Sequence, residues 1–264
     1  MKRQLKYLLE RTPVLDTMYE AVRRKKTRNG YWRWTAEDEQ RRKFYGQFIH
    51  PGDTVFDVGA NLGNRTKVFL RLGAGVVAFE PQKQCSEYLE TVLGGTGNFR
   101  LVRKALGDAP GRGEMLVSNA HVLSTLSQEW PEVTKESGRF SRYEWNERQT
   151  VEIITMDGAI GEFGVPSFVK IDVEGFEYHV LSGLSRPVPA MSIEFAAEQI
   201  ENTYRCIDHM SAMGPAAFQV SSGESMKFDL PTWIPADEMK DALADLVKRD
   251  ALAWGDVYIR SAGA

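Results

Sequence analysis

Thr54-Val55-Phe56-Asp57-Val58-Gly59-Ala60-Asn61-Leu62-Gly63-Asn64-Arg65-Thr66 is the stretch that decides the fold. Its first five residues read as a short buried strand, Gly59 and Gly63 bracket a turn, and Val68, Phe69 and Leu72 follow at helical spacing. Val76-Val77-Ala78-Phe79 then reads as a second strand. It ends at Glu80, 23 residues beyond Asp57, where a Rossmann-like unit places the carboxylate that grips ribose hydroxyls. The spacing is that of a βαβ half, and it predicts a site for a nucleoside cofactor.

The loop also narrows the cofactor. A dinucleotide fingerprint wants G-x-G-x-x-G, and Asn61 and Asn64 occupy the second and third glycine positions. Pyrophosphate needs close backbone approach at several glycines, and the G-x-x-x-x-G-K-[ST] loop of triphosphate binders is missing here. NAD is therefore disfavoured and a ligand without phosphates fits better. S-adenosylmethionine has ribose and adenine to hold, plus a zwitterionic amino-acid tail. The expected contacts are Asp57 and the loop backbone of Gly59, Ala60, Asn61 and Gly63, with Glu80 on the ribose.

Downstream, Ser167-Phe168-Val169-Lys170-Ile171-Asp172-Val173-Glu174-Gly175-Phe176-Glu177 is an apolar strand running into a charged cluster. Open α/β sheets bind ligands outside the carboxyl ends of their strands, so Asp172 and Glu174 are expected to face the crevice lined by Asp57 and Glu80. The string KIDVEGFE, with DVGANLG and FEP upstream, resembles the FkbM family of S-adenosylmethionine-dependent methyltransferases. Ala105-Leu106-Gly107-Asp108, Ser124-Thr125-Leu126 and Ile154-Thr155-Met156-Asp157 extend the match over about residues 50–196. The resemblance implies a class I methyltransferase fold and, in most members, methylation of a hydroxyl on a sugar, glycan or natural-product scaffold. Ala105 and Asp172 join the cofactor-binding candidates with it. One departure is Asn64-Arg65-Thr66 at the helix entrance, where the family often carries a small or aromatic residue; it bears on the contacts to the cofactor's tail.

Alternating strands and helices from residue 51 onward predict a mostly parallel sheet with helices on both faces. Strands are expected at 54–58, 76–80, 99–105, 168–172, 190–195 and 253–260, with helices at 64–72, 82–93 and 236–249. Residues 108–150 form an insertion. A strand at 114–118 is expected to pair with 151–155, and Trp130, Phe140, Tyr143 and Trp145 supply aromatic material for an acceptor-binding lid. The organisation expected is an N-terminal helical extension over 1–50, packed on a Rossmann-like methyltransferase domain over 51–264.

That extension carries 13 Lys and Arg against 6 Asp and Glu. Leu5, Leu8, Leu9, Leu15, Met18, Tyr19 and Val22 lie at helical spacing. A solvated basic face over a covering helix is the plain reading; peripheral contact with an anionic membrane or an acidic glycan carrier, or dimerisation, are the alternatives. Tyr31, Trp32 and Trp34 are read as packing before a stacking wall. With 42% hydrophobic and 26% charged residues, the 264-residue chain has material for one substantial core. Its net charge of −3 argues against a general nucleic-acid binder. Two cysteines without a pairing motif, no secretory signal and no membrane-spanning apolar run make a cytoplasmic location the expectation.

Methyl transfer from a sulfonium needs the accepting oxygen in line with the sulfur–carbon bond and helped to shed its proton. Asp172 and Glu174, two apart on an outward strand and hence on one face, are the catalytic candidates. Lys170 shares that face, deeper in, where an ion pair with a carboxylate is its plain role. Asp172, Glu174, Glu194 and Asp157 are hard oxygen donors of the kind Mg2+ takes, but no metal-specific spacing supports them and no metal residue is assigned. His50, His121, His179 and His209 are scattered; His179 and His121 lie nearest an expected acceptor site. Two rival classes stand beside the methyltransferase: a Rossmann oxidoreductase, and an inactive S-adenosylmethionine-binding scaffold or partner. Nothing in the pattern encodes the acceptor's identity or the oligomeric state.

Overall fold

A computed structural model of the chain describes Gly30 and residues 33–262. The helices expected within the first 29 residues, and Tyr31 and Trp32, lie outside the described residues. The main sheet has seven strands: β1 (Thr54–Val58), β2 (Gly75–Phe79), β3 (Phe99–Val102), β7 (Phe168–Ile171), β8 (Ala190–Ala196), β9 (Ala216–Ser222) and β10 (Trp254–Ser261). Their order is β3-β2-β1-β7-β8-β10-β9. The first five run parallel, and β10 is antiparallel to both β8 and β9. A second sheet, ordered β4-β6-β5, comprises β4 (Ala105–Leu106), β5 (Gly111–Val117) and β6 (Glu147–Ile154).

Helices cover both faces, because the strands are apolar on both sides. Phe56, Val77, Val169, Ile193 and Val257 bury against α5 (Met156–Phe163), α6 (Glu177–Ser182), α7 (Ile200–Ala212) and α8 (Ala236–Arg249). The alternate residues Val55, Val76, Phe168 and Tyr258 bury against α1 (Ala36–Tyr45), α2 (Asn64–Arg71) and α3 (Lys83–Leu93). Each fully buried Phe, Ile or Val contributes about 1.5–3 kcal/mol, so the two layers carry most of the stability. Helix α1 starts at a capping box in which Thr35 and Asp38 bond each other's backbone amides. It is tied to α2 by the buried Asp38–Lys67 ion pair at 2.6 Å.

This is the mostly parallel α/β architecture expected, with differences at three places. Strand β3 stops at Val102; after two residues the chain leaves the main sheet, and Ala105–Leu106 pairs with β6. The hairpin in the insertion forms, in another register: β5 is paired over Gly111–Val117 with Ile153–Glu147. Strand β9 was not expected at all. Its Gln219 and Ser221 are buried, with the Gln219 amide donating to the carbonyls of Leu230 and Thr232, so the segment lacks the apolar run that marks its neighbours.

Within the insertion, α4 (Trp130–Glu136) packs by Trp130 against the body of the domain. Arg139 fastens it, reaching Glu198 with two bonds of 2.6 and 3.0 Å and the carbonyl of Leu252 at 2.6 Å.

Candidate active site

Strand register builds the site. Val58 is level with Phe79 on one side and Ile171 on the other, so the residues following β1, β2 and β7 emerge in one layer. Backbone bonds lace these ends together: Gly59 and Ala60 donate to the carbonyl of Phe79, Asp172 to that of Val58, and Glu80 to that of Val102. Gly59 has φ +79, and a Cβ there would overlap the carbonyl oxygen of Asp172. Only glycine lets the loop and the β7 end approach this closely.

A cavity of about 220 Å³ opens over this layer. Its wall includes Asp57, Gly59, Ala60, Asn61, Glu80, Ala105, Lys170, Asp172 and Glu174. Thus every residue assigned a catalytic or cofactor-binding role from the sequence lines it except Gly63. That residue, at φ +81, instead turns the chain into α2.

Glu80 is buried, and both of its oxygens are engaged: Oε2 accepts from the amide of Asn61 at 2.6 Å and Oε1 from that of Gln82 at 2.8 Å. Burial outweighs these bonds and pushes its carboxyl up to about 7. Asn61 stands at φ +51, a left-handed conformation that asparagine adopts more readily than most residues. Its side chain donates to the carbonyl of His121 and accepts from the amide of Leu62. Asp57 accepts from the Thr66 hydroxyl, and burial raises its carboxyl above the ordinary range.

Strand β7 ends at Ile171, so Asp172 and Glu174 do not share a strand face as expected. They converge because Glu174 and Gly175 both turn left-handed, at φ +56 and +87. The turn is held by Glu177, whose Oε1 accepts from the amides of Val173 and Gly175, and by the Thr125 hydroxyl on the carbonyl of Glu174 at 2.7 Å.

Carboxylate oxygens of Asp172, Glu174 and Glu194 lie within 4.8 Å of one another. Burial works against charge at all three. At Asp172 the Lys170 ammonium, 2.9 Å away, prevails and holds the carboxyl below its usual range. Among the described residues Glu174 and Glu194 have no ion-pair partner, and burial and the negative Asp172 push both well above it. The cluster therefore favours charge on Asp172 and disfavours it on Glu174 and Glu194. The spacing would also suit a hard cation, though Lys170 already supplies positive charge to Asp172. Asp157 is not part of the group; it sits exposed at the start of α5, accepting from the amide of Ser185.

Lys170 is buried, paired to Asp172 and, at 3.6 Å, to Asp256. Its place is the ion pair, and it orients Asp172.

Two histidine expectations part company. His179 is half exposed, stacked on Phe176 at 4.4 Å, and not part of the cavity wall. His121 lines the cavity, its Nδ1 buried without a partner among the described residues, and burial holds its pKa below the ordinary value. The insertion also meets the cavity through other residues than expected. Met115, His121, Val122, Ser124, Thr125 and Leu126 reach the cavity, whereas Trp130, Phe140, Tyr143 and Trp145 do not. Trp130 is packed inside, and Trp145 donates to the carbonyl of Leu123. Sequence reasoning missed Glu224, which borders the cavity from the loop after β9. Because β8 and β9 are both antiparallel to β10, β9 ends at the same edge as β8, and recognising it as a strand would have marked its carboxyl end for attention.

Among the described residues no helix is long and apolar enough to cross a membrane. No curated protein sequence matches the chain. Among solved structures, a putative O-methyltransferase from Klebsiella pneumoniae is similar at 10% identity and a TM-score of 0.43, covering 100% of this chain and 96% of that one. The O-methyltransferase from Bacillus cereus in complex with SAH is similar at 9% identity and 0.43, covering 87% and 82%. A putative rRNA-methylase from Clostridium thermocellum is similar at 10% identity and 0.42, covering 88% and 99%. The family model described as the methyltransferase FkbM domain matches residues 57–214, more than half of the chain. With the glycine loop, Glu80 and the KIDVEGFE turn all inside that span, the chain belongs to the FkbM methyltransferase family.

Proposed function

We propose that the protein transfers a methyl group from S-adenosylmethionine to a hydroxyl of a sugar, glycan or natural-product acceptor. The observation that carries this reading is the convergence of Asp57, Glu80, Asp172 and Glu174, from three adjacent strand ends, on one cavity. S-adenosylmethionine supplies an electrophilic methyl on a sulfonium. The chain's own residues do the rest.

Glu80 offers its remaining lone pairs to the ribose diol, and the backbone of Gly59 to Asn61 supports the linker to the amino-acid tail. Asp172, beside the Lys170 ammonium that favours its ionised form, accepts the proton of the acceptor hydroxyl, and Glu174, whose carboxyl is pushed well above its usual range, orients it. His121, Val122, Ser124, Thr125 and Leu126 bring apolar and hydroxyl groups to the cavity wall, where they are suited to contact the acceptor.

Calorimetric titration with S-adenosylmethionine and S-adenosylhomocysteine, with NAD as control, tests the cofactor. Binding of NAD, or of none of the three, sinks the proposal. A labelled methyl donor offered with a panel of sugar and polyketide alcohols then tests the acceptor class, and label appearing only on nitrogen or carbon acceptors refutes O-methylation.

A further inference from the structure

Three cationic side chains border the cavity among the described residues, and two of them are committed elsewhere. Lys170 lies between Asp172 and Asp256, and Lys104 pairs at 2.9 Å with Glu152 on the hairpin. Arg65 is different. It stands in the first turn of α2, directly after the glycine loop, with its side chain only 11% exposed. Nε donates to the Tyr45 hydroxyl at 3.2 Å, and Nη2 donates to both oxygens of Glu224 at 2.6 and 2.7 Å. A guanidinium has five N–H donors. Two remain on Nη1, which has no hydrogen-bond partner among the described residues.

Glu224 is the complement. Its side chain is 47% exposed, it borders the same cavity, and Arg41 at 3.3 Å supplies a second positive neighbour. The cavity thus presents a cation and an anion side by side, the cation with unspent donors and the anion open to the cavity. The first turn of α2 adds to the positive side, since it contains no acidic residue and its amides are capped by no side chain.

Glu80 and Asp172 follow strands separated by β1, which sets the two ends of the site about 10 Å apart. A nucleoside whose ribose rests on Glu80 therefore extends its 5′ substituent over the glycine loop toward Arg65. Resting on the S-adenosylmethionine reading above, we infer that Arg65 and Glu224 are the receptor for the amino-acid tail. Arg65 Nη1 takes the α-carboxylate in charge-assisted hydrogen bonds while its Nη2 keeps Glu224 in place, and Glu224 takes the α-ammonium. Because Arg65 and Glu224 are 159 residues apart, this receptor is assembled only by the fold.

The test compares three adenosine ligands by calorimetry: S-adenosylhomocysteine, its decarboxylated analogue, and 5′-methylthioadenosine, which has no amino-acid tail. The wild-type protein is expected to bind S-adenosylhomocysteine about 10- to 100-fold tighter than the decarboxylated analogue. Arg65→Gln should erase that margin while binding 5′-methylthioadenosine as the wild type does. Glu224→Gln should weaken S-adenosylhomocysteine but not 5′-methylthioadenosine. An Arg65→Gln protein that keeps the full margin overturns the inference. So does a wild-type protein that binds all three ligands equally, an outcome that does not depend on how the variant folds. Failure of the wild type to bind any adenosine ligand instead overturns the cofactor reading on which the inference rests.

Discussion

Glu80 is expected to make cofactor affinity depend on pH across neutrality. Its carboxyl is pushed up to about 7 because burial outweighs the two amide bonds it accepts. A ribose diol donates to a carboxylate and gains little from a carboxylic acid, so the binding-competent form is the ionised one. At pH 6 about one tenth of the protein holds Glu80 ionised and at pH 8 about nine tenths, so affinity for S-adenosylhomocysteine should rise about tenfold between them. Glu80→Gln keeps the shape, removes the charge, and should cost about 1.5–3 kcal/mol of binding, with the pH dependence flattened. Calorimetry at pH 6, 7 and 8 on both proteins reads all of this, and a thermal melt at each pH verifies that they stay folded. If Glu80→Gln binds S-adenosylhomocysteine as tightly as the wild type, with the same slope against pH, the carboxylate is not on the ribose and the reasoning fails.

Asp172→Asn should lower kcat by about 10²–10⁴-fold and leave the affinity for S-adenosylhomocysteine within a few-fold; an equal loss in both would move Asp172 to the cofactor's tail. Gly59→Ala should destabilise the fold by several kcal/mol, since its Cβ overlaps the carbonyl of Asp172 and its φ of +79 disfavours any side chain, and a denaturant midpoint matching the wild type would contradict the close approach. Glu177, buried under the KIDVEGFE turn, has its carboxyl raised from 4.5 to about 7, chiefly by burial. The folded state then binds more protons than the unfolded one between these values, so stability falls as pH rises through that window. Glu177→Gln should reduce the fall, which denaturation at pH 5 and pH 7.5 would reveal; an unchanged fall would place its origin elsewhere.

What was legible in the sequence was local and apolar. Strand β1 at 54–58 and helix α8 at 236–249 were read to the residue, because runs such as Val55-Phe56 and the spacing of Met239, Leu243 and Leu246 state their period plainly. Glu80 and Asp172 were legible because a parallel sheet sends the residues after its strands to one edge. What stayed hidden depended on partners distant in sequence. Gln219 and Ser221 look like loop residues until Leu230 and Thr232 return to satisfy the glutamine. Asp172 and Glu174 were brought together in the reading by strand alternation, whereas in the fold a left-handed turn does it. The aromatics of the insertion were taken as material for an acceptor-binding lid, yet Trp130 packs inside and Trp145 bonds Leu123 within the insertion, and the cavity instead receives Met115, His121 and Leu126.

Glu174 places its proposed role and robustness in opposition. A left-handed backbone disfavours glutamate by about 1–2 kcal/mol, and a half-buried carboxyl beside Asp172 adds a second penalty. Asparagine or glycine at this position relaxes the first, and either removes the second. A laboratory evolution campaign, or a consensus design, scored on melting temperature alone would therefore drift toward exchanging this glutamate and would remove the carboxyl proposed to orient the acceptor. Any effort to harden the protein for synthetic use should hold position 174 constant and draw its gains from the solvent-facing side of α8, where side chains touch neither the cavity nor the turn.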